Sequence, residues 1–213
     1  MTSATTTLLD QRYELVERVF SEGNQAAYLA RDLVRGEELL LFLVPPAKRL
    51  SPEADAALSS SIEEAFDVAA PSLLPILDLR TTGDHRFLVM PRPDGANAWG
   101  QFTGKGAGTM SPEAVCAVAD DLVQAARAAH RHGTLLGCSP KQVWIRPKGG
   151  AQVQFFWIGR DQRGVDAGTT DAALMAAGAE GTYFRAPEVG EGRAADPAAA
   201  DQYFIGALLY ALL

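Results

Sequence analysis

Cysteine and histidine are the residue types in this chain that could do covalent or acid–base chemistry most directly. Cys138 could act as a nucleophile, but no base can be identified beside it, so it is interpreted as a small loop residue. His130 and His132 could exchange protons, but they end a predicted helix, where they are expected to favour the helix dipole or face water. Cys116 and Cys138 are too few and too far apart for a zinc site or a disulfide framework.

Composition favours one globular unit without affinity for polyanions. The chain has 213 residues, of which 47% are hydrophobic, enough for one sizeable core or two tightly joined lobes. Its 19 basic and 26 acidic residues give a net charge of -7, which argues against binding to nucleic acids or anionic membranes. Residues 1–7 contain no basic start and no apolar run, and the apolar run 203–213 is too short to span a bilayer, so neither a secretory signal nor a membrane span is expected. The two cysteines fit a reducing cytoplasm, which is the expected location.

The first part of the chain is predicted to form a small lobe of five strands and one helix. Residues 1–9 are Thr-rich and expected to be disordered, and residues 10–92 form the lobe. Ser51-Pro52-Glu53 supplies a helix cap, a first-turn proline and an early acid, and predicts a helix that ends near Ala69. The predicted strands, bounded by turn residues, are Tyr13–Phe20, Gln25–Asp32, Glu38–Val44, Leu73–Arg80 and His85–Met90.

Residues 93–110 are predicted to form a hinge, because they are rich in Gly, Pro, Ala and Asn and show no periodicity. Residues 111–213 are predicted to form a second, mainly helical lobe. Its first helix starts at Ser111-Pro112-Glu113, keeps an apolar face through His130 and stops at Gly133.

A hairpin, a long loop and an apolar helix complete the predicted order. The hairpin strands are Gln142–Ile145 and Gln152–Ile158, and residues 159–182 are expected to be a flexible surface segment. The last helix starts at Asp201 and is apolar on nearly every side, so it should be enclosed by other elements. The predicted fold class is therefore α+β.

Short motifs in this order resemble the bacterial serine/threonine protein kinases. Tyr183-Phe184-Arg185-Ala186-Pro187-Glu188 before the apolar helix resembles the family's Ala-Pro-Glu motif, and the resemblance runs from about Tyr13 to the C-terminus. It implies a bilobal kinase-like fold whose second lobe stops after the central buried helix. It also implies structural roles for Gly159, Ala186, Pro187, Glu188 and Asp201, with Asp201 holding the backbone of the catalytic loop. The other matching motifs are Tyr13-Glu14-Leu15-Val16, Tyr28-Leu29-Ala30-Arg31, Phe87-Leu88-Val89-Met90, Ser111-Pro112-Glu113 and His130-Arg131-His132-Gly133.

The positions that bind ATP phosphates in this family lack the required residues. Phe20, Glu22 and Gln25 stand where the phosphate loop has glycines, which let backbone amides approach a phosphate. Phe42 stands where the third strand carries the lysine that neutralises the phosphates. Lys48 could replace it only if the chain after Pro45-Pro46 were rearranged. Glu63 and Glu64, near the position of the lysine's usual partner, are interpreted as surface charges.

The catalytic and metal-binding carboxylates are also missing. The catalytic loop is matched by residues 136–145, where Cys138 lies near the aspartate position and Gln142 takes the place of the metal-binding asparagine. Trp157 replaces the magnesium-binding aspartate before Gly159, and an indole offers no oxygen ligand. Asp161 is interpreted as a loop acid rather than a displaced ligand.

Losing four functional groups together predicts a pseudokinase, with no catalytic residue, no cofactor and no metal. Its expected role is that of a protein-binding, scaffold or regulatory module. The alternative is a divergent kinase that binds ATP and magnesium and uses displaced groups such as Lys141, Asp161 or Glu22. A third class is a structural remnant that links parts of a longer polypeptide.

The last helix is expected to be incompletely covered. In the family, later helices pack on it and supply the arginine that pairs with the residue matched by Glu188. A further segment, a second copy or a partner protein is expected to cover the apolar side chains left half exposed. These are Phe204, Ile205, Leu208, Leu209, Leu212 and Leu213.

Overall fold

The chain folds as an α+β protein, as predicted. A six-stranded antiparallel sheet has the order β1-β2-β3-β4-β6-β5. Its strands are β1 (Leu8–Leu9), β2 (Tyr13–Glu22), β3 (Gln25–Asp32), β4 (Glu38–Val44), β5 (Asp78–Thr82) and β6 (His85–Pro91). The computed structural model describes residues 7–22, 25–46, 48, 50–103, 109–132, 136–154, 183–190 and 196–213.

Strand β4 is buried on both faces of this sheet. Leu40, Phe42 and Val44 point into the larger hydrophobic core, whereas Leu39 and Leu41 belong to a second cluster on the opposite face. This alternation follows from the two-residue period of a strand. A nearly continuous apolar run is therefore required at this position.

The prediction that residues 1–9 are disordered is wrong for Leu8 and Leu9. Leu8 and Leu9 form β1 and pair with Glu14 and Tyr13 of β2. Leu9 is 6% exposed, because it packs in the cluster around Tyr13. Burial of this apolar side chain stabilises the ordered conformation of the short segment.

Helix α1 (Pro52–Asp67) packs on the sheet, and the strand predicted from Leu73 starts later, at Asp78. The Ser51 side chain accepts a hydrogen bond from the Ala54 N–H and caps the helix. Residues 72–74 instead run beside the later hairpin, where Leu74 N donates to Val153 O at 2.9 Å. Leu73 and Val153 form a parallel bridge, so this segment joins the two parts of the chain.

The predicted hinge contains two short elements, β7 (Ala96–Asn97) and α2 (Ala98–Thr103). Neither is long enough to show a hydrophobic period in sequence. Strand β7 pairs with β8 (Val143–Ile145), which pairs with β9 (Ala151–Val153). The residues between Pro91 and Thr109 are thus partly built into the second half of the fold, and β9 ends before the predicted Ile158.

Three helices and a 3-10 turn complete the described chain. Helix α3 spans Pro112–Arg131, with Ser111 as its N-cap and His132 as its C-cap, so it ends just before the predicted stop at Gly133. The 3-10 turn (Pro140–Gln142) leads into β8. Helix α4 spans Pro187–Gly190, and α5 spans Pro197–Leu212.

The prediction that α5 starts at Asp201 is wrong, because Asp196 caps the helix and accepts a hydrogen bond from the Ala198 N–H. The expected exposure of its apolar face is also wrong for Phe204, Leu208 and Leu212, which are at most 4% exposed. Their four-residue spacing directs them together into the core, where α5 packs on α3. The large hydrophobic side chains exposed on α5 are Tyr203 and Tyr210, and Leu213, just after the helix, is also exposed.

A partly buried ion pair beside the β2–β3 ladder predicts a loss of stability in acid. The Arg12 guanidinium donates two hydrogen bonds to Asp32, at 2.9 and 2.6 Å, and the Val34 and Arg35 N–H groups also donate to this carboxylate. These bonds, chiefly those from Arg12, hold the pKa of Asp32 well below its usual range. The stabilisation is complete above the unfolded pKa of about 3.9 and is lost as the pH falls toward the depressed folded value.

We therefore expect Asp32→Asn to lower the urea midpoint at pH 7 and to flatten its further decrease below about pH 4. Urea unfolding of both proteins between neutral pH and about pH 2.5 measures this. Asp120→Asn, at an exposed position of α3, is the matched control. Parallel acid profiles of the parent and Asp32→Asn would contradict the assignment.

Candidate functional site

The position expected to carry a phosphate-binding lysine is part of the hydrophobic core. Phe42 lies in the middle of β4, paired with Ala27 of β3 and Leu88 of β6. Its side chain is 0% exposed and shares the larger core with Leu58 and Ile62 of α1. A ring in this place fills volume and offers no charge.

The β2–β3 hairpin stands where the resemblance places a phosphate loop. Glu22 pairs with Gln25 in the strand register, so the strands continue to the tip of the hairpin. Phe20 is 3% exposed and packs in the same core as Phe42. The side chains of Glu22 and Gln25 and the residues between them lie outside the described part of the chain.

The segment that the resemblance matches to the catalytic loop contains the 3-10 turn. Gln142 is 0% exposed, and its Oε1 accepts hydrogen bonds from both the N–H and the hydroxyl of Ser139, each at 2.7 Å. The oxygen that could ligate a metal is therefore used to cap this turn. The Cys138 thiol is half-buried and donates toward Leu136 O at 3.6 Å and Gln154 O at 3.9 Å.

The other predicted chemical groups are separated from one another or lie outside the description. Lys141 is placed over the Trp99 ring, 5.1 Å from its centre, and Lys48 forms an ion pair with Asp84. Glu63 and Glu64 are exposed on α1, as expected. Trp157, Gly159, Asp161 and the rest of the 159–182 segment fall among the residues that the structure does not describe.

Asp201 connects α5 to the start of the segment that the resemblance matches to the catalytic loop. Its carboxylate accepts hydrogen bonds from Leu136 N at 2.6 Å and Gly137 N at 3.1 Å. This is the contact that the resemblance assigns to Asp201. Burial raises the pKa of Asp201, against the opposing effect of its hydrogen bonds to Leu136, Gly137 and His130.

His130 also contacts Asp201, which the sequence did not predict. Its Nε2 lies 2.8 Å from Asp201 Oδ2, whereas the sequence suggested a dipole contact or exposure to water. His130 reaches this carboxylate from the last turn of α3, so Asp201 links α5 to α3 and to the loop that follows α3. His132 caps α3 and is exposed.

The Ala-Pro-Glu motif follows an aromatic contact with α2. Phe184 stacks on Phe102, with ring centres 5.8 Å apart, and Trp99 meets Phe102 edge-on at 6.3 Å. Ala186 is 2% exposed, Pro187 starts α4, and Glu188 is half-buried. Trp99 and Phe102 were missed by sequence reasoning because they lie in the predicted hinge, although their aromatic type was a usable signal.

In the described ranges, no three His, Cys, Asp or Glu side chains come together as a metal site would require. Within the same ranges, none of the helices has the length and apolarity needed to cross a membrane. In comparisons with known proteins, no family model and no curated protein matches the chain. The site is therefore interpreted from its own geometry.

Proposed function

We propose that this chain is a kinase-like domain without phosphotransfer activity that acts as a binding or scaffold module for another protein. The observation that carries the proposal is the burial of Phe42. Where the family needs a cation beside the phosphates, this chain has a fully enclosed ring in a core shared with α1. A lysine could reach phosphate from this position only if the surrounding core were rearranged.

The contacts of Gln142 give separate support. Phosphoryl transfer depends on positioned metal ions, and the matching asparagine of active kinases is one of their ligands. The Gln142 carbonyl oxygen instead accepts two hydrogen bonds from Ser139. Binding a metal through this atom would disrupt the cap of the 3-10 turn.

Asp201 supports retention of the fold for its shape. Its carboxylate still holds the Leu136 and Gly137 N–H groups although the loop that follows lacks a catalytic aspartate. The contacts that position this loop are thus present although the catalytic groups are absent. This combination is expected if the fold is retained for its shape and surface rather than for catalysis.

Nucleotide addition tests the proposal. We expect no increase in melting temperature when ATP is added, with or without magnesium chloride. A ligand at 100 times its Kd stabilises the folded state by about 2.7 kcal/mol, which for a chain of this size shifts the melting temperature by roughly 5–10 °C. Differential scanning fluorimetry measures the shift, with an active protein kinase as positive control.

A transfer assay with γ-labelled ATP and generic protein substrates completes the test. Magnesium-dependent labelling that is abolished by Lys141→Met would favour the divergent active kinase instead. An ATP-induced shift without labelling would overturn the loss of nucleotide binding while leaving the loss of transfer intact.

A further inference from the structure

Among the described residues, six buried side-chain atoms have no hydrogen-bond partner. Four of them are Ser72 Oγ, Gln142 Nε2 and both Nε2 and Oε1 of Gln154, and the other two are Trp144 Nε1 and Arg146 Nε. Ser72 and Gln142 are 0% exposed, and Gln154 is 1% exposed, so bulk solvent does not reach them. Buried polar atoms in folded proteins are nearly always paired with protein or with ordered water.

The three residues belong to neighbouring backbone segments. Gln154 N donates to Gln142 O at 2.9 Å, which joins the end of β9 to the 3-10 turn. One residue earlier, Val153 N donates to Ser72 O at 2.7 Å, which joins β9 to the segment after α1. Ser72, Gln142 and Gln154 therefore lie on adjacent backbone segments, where the segment from the six-stranded sheet meets the second half of the fold.

The chemistry of these atoms fits water. The two amide nitrogens donate, the Gln154 carbonyl oxygen accepts, and the Ser72 hydroxyl does both. A buried water molecule typically makes about three hydrogen bonds and so can link such a mixed set. An anion would leave the Gln154 oxygen without a donor, and a metal ion would leave both amide nitrogens without an acceptor.

We propose that Ser72, Gln142 and Gln154 form an internal hydration site, in which bound water connects the segment after α1 to the 3-10 turn and β9. The bound water is then part of the contact between the two halves of the fold. This inference is independent of whether the chain binds nucleotide or a partner protein.

Water-exchange NMR on the intact chain tests the site. With uniform ¹⁵N labelling, the side-chain amides of Gln142 and Gln154 should show rotating-frame Overhauser cross-peaks to long-lived water. The exposed amide of Gln202 should lack such a peak, because surface water exchanges rapidly. Absence of the peaks for both buried glutamines, or a direct hydrogen bond between their amides instead, would overturn the proposal.

Substitution gives an independent readout. Gln154→Met keeps a side chain of similar length but removes two of the four atoms, so in a hydrated site it should lower the urea midpoint. Gln202→Met should leave the midpoint unchanged. If the atoms are simply unpaired, Gln154→Met removes two buried polar groups without a partner, and the midpoint stays the same or rises, which would overturn the proposal.

Ser72→Ala removes only one hydroxyl and is the milder variant if Gln154→Met does not fold. If both residues bind the same water, Ser72→Ala and Gln154→Met should each lower the urea midpoint. In the double variant these two decreases should not be additive, because both substitutions act on the same hydrogen-bond network. Additive effects would contradict a shared site.

Discussion

Replacing Phe42 by alanine should reduce the free energy of unfolding by about 3–5 kcal/mol. The ring is fully enclosed between β3, β6 and α1, so its removal leaves a cavity in the part of the core that holds the sheet to the helix. Urea unfolding followed by far-UV circular dichroism measures the change. Phe66→Ala on α1 is the matched control, since Phe66 is 44% exposed and its loss should cost much less.

Phe42→Lys separates a structural role from a lost catalytic one. A buried ammonium without a partner should destabilise the chain at least as much as alanine does, and it should not produce an ATP-dependent thermal shift. If Phe42→Lys folded with the stability of the parent and bound ATP with magnesium, the interpretation of Phe42 as a core residue would be wrong.

Asp201→Asn should have the second large effect, a loss of about 2–4 kcal/mol. The carboxylate serves the Leu136 and Gly137 N–H groups and His130, whereas an asparagine has one oxygen and turns an NH₂ group toward one of these partners. A buried N–H group that loses its acceptor is costly. Urea unfolding again measures the loss, and amide hydrogen exchange should accelerate at Leu136 and Gly137.

Asp196→Asn is a control with the same chemical change on the same helix. Asp196 is the exposed N-cap of α5, and asparagine caps helices as well as aspartate does, so only a few tenths of a kcal/mol are expected. Equal losses for the two variants, or unchanged exchange at Leu136 and Gly137, would show that Asp201 does not hold this loop.

Elements with a long repeating pattern could be predicted from the sequence. The strands from Tyr13, Gln25 and Glu38 and the helices from Pro52 and Pro112 start within a residue of their predicted positions. Their hydrophobic periods and capping residues are local signals. The contacts of Ser72–Leu74 with β9 depend on residues about 80 positions away along the chain, so no local pattern could reveal them.

The candidate site could be predicted from the sequence only where a residue type is chemically unable to perform the function of that position. That Phe42 cannot neutralise a phosphate follows from its side chain alone. That Gln142 uses its oxygen to cap a turn, and that His130 contacts Asp201, depends on how the segments pack. The sequence predicts that the helix starts at Asp201, whereas Pro197-Ala198-Ala199-Ala200 form the first turn of α5.

The two edges of the six-stranded sheet differ in a way that affects self-association. At one edge, β1 covers only the first residues of β2, and the rest of β2 is irregular, with register shifts between Leu15 and Glu17 and between Arg18 and Phe20. At the other edge, β5 carries Asp78 and Arg80, and Arg80 also pairs with Asp10 beside β1. Charged side chains on an edge strand oppose the docking of a foreign strand, so within the described chain both edges carry features that protect against edge-to-edge aggregation.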